Sequence, residues 1–139
     1  MDTWSKKVVA LGYGVVIGLT VVLFIEATLS IMFTPFIMAV IVAPVVEEFF
    51  KTQAVHLSSS TYRTNAVTYV VLAAIGFGLI EAFIHAVFSG YYYISLTPLM
   101  HIFFSLPTGI AYKQSKHLYG AGLIVSITFH AMWNFLVII

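Results

Sequence analysis

Apolar residues run along the chain in five long blocks separated by short polar breaks. The first extends from Val8 to Phe33, carries Glu26 as its one charged residue, and ends at Thr34-Pro35. The second, Pro35 to Leu57, is closed by the polar run Ser58 to Asn65. Ala66 to Phe88 forms the third, followed by Ser89-Gly90 and three tyrosines. Leu96 to Tyr112 is the fourth, ended by Lys113 to His117, and Tyr119 to Ile139 is the fifth. A membrane-spanning helix needs roughly 20 mostly apolar residues, so the pattern predicts an all-α, polytopic bundle of five transmembrane helices. It predicts a single transmembrane domain over residues 1–139, with no soluble domain, linker or repeat.

The polar residues inside the blocks follow the helical period. Pro44, Glu47, Glu48 and Lys51 fall at i, i+3, i+4 and i+7, which is one helix face. Phe77, Glu81 and His85 recur every four residues; His101, Ser105, Thr108 and Tyr112 form a stripe on the fourth block. Ser126, His130 and Asn134 form one on the fifth. Four greasy helices with one polar stripe each are expected to turn those stripes toward a shared cavity. The first block has only Glu26, near its end, and is expected at the periphery of that arrangement. Small residues at helical spacing, Gly14 and Gly18 in the first block and Gly78, Ala82 and Ala86 in the third, predict close helix–helix approach.

Composition makes the bilayer compulsory. The chain is 61% hydrophobic and 8% charged, against roughly 45–50% and 25% in soluble domains. A net charge of +1 supplies no field for nucleic acid, and the absence of cysteine excludes disulfides, thiol catalysis and thiolate ligands. Lys6, Lys7, Arg63, Lys113 and Lys116 all fall on one side if the N-terminus is cytoplasmic. The positive-inside rule therefore predicts N-terminus in and C-terminus out. Trp4, Tyr62, Tyr112 and Tyr119 then lie at the inner interface with His56 and His117. Tyr91, Tyr92, Tyr93 and Trp133 lie toward the outer one, and the polar cavity occupies the outer half of the bilayer.

An acidic or Lys residue at the bilayer centre costs roughly 2.5–3.5 kcal/mol on insertion scales, so the four in blocks two and three call for a function. Carboxylates and imidazoles in a shielded cavity suit general acid–base chemistry or metal ligation. Intramembrane hydrolysis of peptide bonds uses these groups. An aspartyl dyad is impossible, because the only Asp is Asp2, and no HExxH motif is present. A serine–histidine pair, Ser105 or Ser126 with His130, would leave the paired glutamates unexplained, and no Gly-x-Ser-x-Gly element is found. A glutamate-based or metal-assisted hydrolase remains. The same residues also suit proton or ion translocation, although transporter-like repeat symmetry is missing. A scaffold held together by Glu–Lys pairing, a Glu81–His85 pair and His130–Asn134 polar contacts is the third reading.

Four short motifs sharpen the choice. Glu47-Glu48-Phe49-Phe50-Lys51 resembles the EExxK motif of the PrsW family of intramembrane proteases, a branch of the group that contains the CAAX prenyl proteases and bacteriocin-processing enzymes. Phe77 to Glu81 resembles its FxxxE motif, His101 with Gly109 the third motif, and His130 to Asn134 the closing HxxxN motif. The resemblance covers about residues 35–139, in family order, and the chain looks like the family's core, with fewer spans than typical members. It implies an integral protein of a prokaryotic plasma membrane that cleaves a membrane-associated protein substrate. On this resemblance Glu47 and Glu48 supply the base or a ligand. Glu81, His101 and His130 complete the site and are the candidate ligands of one divalent metal, zinc by preference, or act without one. Asn134 orients or stabilises an oxyanion, Lys51 neutralises Glu47, and His85 is an outer partner. The family's likeness to the scaffold subunit of γ-secretase keeps the non-catalytic reading open.

Overall fold

A computed structural model describes residues 3–57, 65–89 and 96–138, and nearly all of the described residues are helical, with no β-strand among them. The loops expected at 58–64, with Tyr62 and Arg63, and at 90–95, with the three tyrosines, lie outside the described residues.

The helical segments join into five rods that follow the five apolar blocks. In the first, α1 (Thr3–Thr20) runs through a π-helical segment, Val21–Glu26, into α2 (Ala27–Leu29). The second begins where Thr34 accepts a hydrogen bond from the Ile37 amide at 3.3 Å, with Pro35 at the first helical position. Both features are standard starts, since the capping oxygen serves an orphan N–H and proline has none to lose. This rod contains α3 (Pro35–Ile37), a second π-helical segment, Met38–Val42, then α4 (Ala43–Thr52) and a 3₁₀ turn, Gln53–Leu57. Helices α5 (Ala66–Ser89) and α6 (Thr97–Gln114) form the third and fourth rods. Extended backbone at Ser115 stops α6, and a 3₁₀ turn, Lys116–Leu118, leads into α7 (Tyr119–Ile138).

Among the described residues three stretches, Trp4–Leu29, Ala66–Phe88 and Lys116–Val137, are helices long and apolar enough to cross a membrane. The other two rods are less apolar because they carry the polar stripes, among them Glu47, Glu48 and Lys51 on α4 and His101, Ser105 and Thr108 on α6. All six of these side chains are buried. Outside faces are apolar instead: Phe24, Ile31, Phe83, Phe88 and Val137 are well exposed. Greasy outside and polar inside is the arrangement that a bilayer rewards.

Helix α5 is central, with α1 and α6 packed along it; α7 lies against α6 and α4. The first rod is therefore not peripheral, contrary to what its lone charge suggested. The reason is backbone approach: a Cβ on Gly76 would fall against the Leu11 carbonyl and within 2.9 Å of the Val15 nitrogen. Two helices this close need glycine at the crossing. Apolar contacts fix the rest, with Ala10, Ala54, Tyr69 and Ala73 in one cluster and Val55, Ala66, Val70 and Tyr112 in another.

Candidate active site

Helical spacing on α4 carries Glu47, Glu48 and Lys51 into the bundle interior on adjacent turns, and the three have different surroundings. Glu48 is wholly buried and saturated with donors. Its Oε1 takes the Lys51 ammonium at 2.6 Å and His130 Nδ1 at 3.0 Å, while its Oε2 accepts from Ser105 Oγ at 2.7 Å. A buried carboxylate is tolerable only when so paired. Glu47 holds Lys51 more loosely, at 3.5 Å, and lines a cavity that Glu48 does not reach. Lys51 therefore neutralises chiefly Glu48, three residues away, rather than Glu47.

Lys51 also reaches across to α6, where its Nζ lies 2.6 Å from His101 Nδ1 and 4.8 Å from the centre of the Phe77 ring. An ammonium can only donate, so Nδ1 is the acceptor and the other nitrogen, Nε2, carries the proton it donates to Glu81. Glu81 is also 3.4 Å from His85, whose side chain is 55% exposed. A carboxylate can only accept, so His130 Nδ1–H donates to Glu48, and its Nε2 lies 3.9 Å from Glu47 Oε2. Phe104 stacks on His130 at 4.5 Å between ring centres and an interplanar angle of 16°, which holds the imidazole plane. Gly78 of α5 makes room for α6: a Cβ there would come within 2.9 Å of His101 Cδ2.

The stripes thus bring Glu47, Glu48, Lys51, Glu81, His101 and His130 together, with His85 at the rim. Asn134 stands at the edge and donates from Nδ2 to the Ala39 carbonyl at 2.8 Å. Ser105 spends its hydroxyl proton on Glu48, and Ser126 pairs with Thr108 at 2.9 Å. Neither is hydrogen-bonded to His130, so no serine–histidine pair is assembled.

The buried atoms closest to a metal-binding arrangement belong to Glu47, His101 and His130, whose ligand atoms lie within 4.8 Å of one another. Glu47, which the resemblance offered as base or ligand, thus stands where it placed Glu81 as a ligand, and Glu81 is turned toward His85 and His101. Two imidazoles and a carboxylate match a known class of catalytic zinc site, so the donor chemistry fits.

Two cavities open over this cluster. One, of 420 Å³, has walls that include Met100, Phe104 and Trp133 and touches Glu81, His101 and His130. The other, of 450 Å³, is lined by Glu26, Ser30, Glu47 and Glu81 among others. Both share Glu81, His85, Asn134 and Val137. Glu26 was not expected here. Counting 3.6 residues per turn from Gly18, which packs on Phe77 and Ile80, brings residue 25 to the α5 side. The wider π turns at Val21–Glu26 use an extra residue and bring Glu26 there instead. Periodicity in the sequence holds no sign of such a shift.

A family model described as "PrsW family intramembrane metalloprotease" matches residues 2–139. No curated protein and no solved structure matches the chain.

Proposed function

This chain belongs to the PrsW family of intramembrane metalloproteases, and from that premise we propose that it hydrolyses a peptide bond of a membrane-associated protein, with Glu47 as the base that activates water. One observation carries the assignment: of the paired glutamates, Glu47 faces a cavity while Glu48 is consumed by three donors. A general base must reach its water, and a carboxylate saturated with buried donors cannot. Glu48 then serves as the positioning residue for His130 and Lys51. His130, which lines a cavity and has its Nε2 3.9 Å from Glu47, takes up and returns a proton at that nitrogen when no metal is bound. Glu81 holds the His101 tautomer, a role of the kind outer carboxylates play for ligating histidines.

With a metal bound, Glu47, His101 and His130 would hold it, zinc by preference, as ligands and not as proton carriers, and it would supply polarisation of a substrate carbonyl. Lys51 favours a second reading. Its ammonium already stands beside two of those three residues, and in this reading that charge, without an ion, offsets the oxyanion while Glu47 acts on water directly. Metal content of the purified protein in nanodiscs, with activity before and after chelation, separates the two. Chelator-resistant cleavage by metal-free protein supports the second.

The protease reading is tested with wild-type and Glu47→Gln protein in liposomes and a library of single-span reporter peptides. Cleavage by the wild type and its loss in the variant are expected; equal cleavage by both overturns the assignment of Glu47. All five rods are proposed to cross the bilayer, with Lys6, Lys7, Lys113 and Lys116 on the cytoplasmic side. Because the chain has no cysteine, Leu96→Cys and Leu118→Cys, both at exposed sites, give unique labels. An impermeant maleimide added to intact cells is expected to label only the first.

A further inference from the structure

One of the three candidate ligands, His101, has its coordinating atom already engaged. Its Nε2–H goes to Glu81, so Nδ1 holds the ring's lone pair, and the Lys51 Nζ stands 2.6 Å from that atom. Nδ1 is also the nitrogen on the Glu47 side, 3.7 Å from Glu47 Oε2. A neutral imidazole has one acceptor nitrogen, so Nδ1 can serve an ammonium or a metal ion but not both. Both are cations, which adds repulsion where the dielectric is low. Glu81 offers no way round, because it keeps the proton on Nε2, as outer carboxylates do for ligating histidines.

Lys51 can release His101 without being stranded. The side chain is wholly buried, yet its Nζ also lies 2.6 Å from Glu48 Oε1 and 4.8 Å from the centre of the Phe77 ring. Glu48 is not one of the three grouped ligands, so that ion pair survives when an ion takes His101. A lysine suits this exchange, since its charge sits at the end of a flexible four-carbon stem.

We infer that Lys51 is a built-in competitor for the metal: its ammonium and a divalent ion are mutually exclusive occupants of the His101 Nδ1 lone pair. Without an ion, Lys51 ties His101 of α6 to the paired glutamates of α4. With one, it withdraws to Glu48 and leaves Nδ1 to the ion. The lysine therefore weakens metal binding and makes the ion exchangeable. This rests on the ligand set proposed above, Glu47, His101 and His130, and names what controls its occupancy.

The test measures Zn²⁺ binding to the full chain in nanodiscs by competition with a chromophoric chelator, and reads no activity. Lys51→Met is expected to bind Zn²⁺ about 10- to 100-fold more tightly than the wild type, the worth of one hydrogen bond to a charged group. Losing a positive charge would by itself favour a cation. Glu48→Gln combined with Lys51→Met keeps the net charge, and it too is expected to bind more tightly than the wild type. His130→Ala added to Lys51→Met is expected to remove the gain. In the wild type, ¹⁵N spectra are expected to show the His101 Nδ1 and Lys51 Nζ resonances moving together as Zn²⁺ saturates the site. Equal affinity in the wild type and both Lys51 variants overturns the inference and keeps the metal site. A gain that vanishes in the charge-balanced variant is electrostatic only and overturns it as well. So does Zn²⁺ that moves His101 Nδ1 and leaves Lys51 Nζ unmoved. Zn²⁺ bound by none of the proteins overturns it together with the ligand set, while the role of Glu47 as base still stands or falls with the reporter peptides.

Discussion

Among the described residues, two of the places where polar side chains meet across helices are built differently. Near the cavities the contacts are charged, with Glu47, Glu48 and Lys51 of α4 joined to His101 of α6 and His130 of α7. Toward the other end of α4 they are neutral. Thr52 Oγ1 meets Tyr119 OH at 3.1 Å, Gln53 donates to the same hydroxyl at 2.9 Å, and Tyr13 donates to the Phe50 carbonyl at 2.9 Å. His56 edges onto Tyr112, 5.7 Å between ring centres. Neutral hydrogen bonds largely offset the desolvation of their own partners, so the second cluster is complete as packing. The first has more carboxyl groups than cations and opens into two cavities, so packing alone does not account for it. Buried charge beside empty space, rather than buried polarity as such, marks the functional end.

That contrast can be broken at several points. The largest effect is expected from Glu47→Gln, which removes the base yet keeps a similar shape. Turnover of a cleaved reporter should fall by about 10²–10⁴-fold, with the thermal unfolding profile in detergent nearly unchanged. Glu48→Ala should act mainly on stability, because it strands the Lys51 ammonium and the His130 Nδ1–H. Breaking a buried pair in this way costs about 3–5 kcal/mol, read as a lowered unfolding midpoint. Were Glu48→Ala as stable as the wild type, the hub assigned to Glu48 would be wrong. Gly78→Ala probes the seat of His101, since its methyl group would crowd Pro98 and His101 Cδ2. A loss of about 1–3 kcal/mol is expected from overpacking, together with reduced activity. Smallest is Tyr119→Phe at the neutral end, about 1 kcal/mol of stability and no change in kcat. A fall in kcat there would erase the distinction between the two ends.

Much of this was legible from residue order. The five apolar blocks became five helical rods, and the stripes Pro44–Glu47–Glu48–Lys51 and His101–Ser105–Thr108–Tyr112 are buried as their spacing required. Periodicity works here because a helix repeats every 3.6 residues, so which residues share a face is a property of one segment. The lone charge of the first rod, by contrast, was a poor guide to its place. Its Gly14 and Gly18 spacing announced a close approach, but nothing local said that α5 would be the partner.

By itself, then, the sequence determined an all-helical membrane chain, the faces that carry its chemistry, and the short list of groups able to perform it. Tertiary structure alone decided how that list divides. Glu47 and Glu48 are neighbours with identical side chains, and only the positions of Ser105 and His130, 57 and 82 residues further on, saturate one and leave the other facing a cavity. Glu26 enters the site because a π-helical stretch shifts the register of its rod by about one residue. Both outcomes depend on atoms that meet across helices, and a period read along one helix holds no information about them.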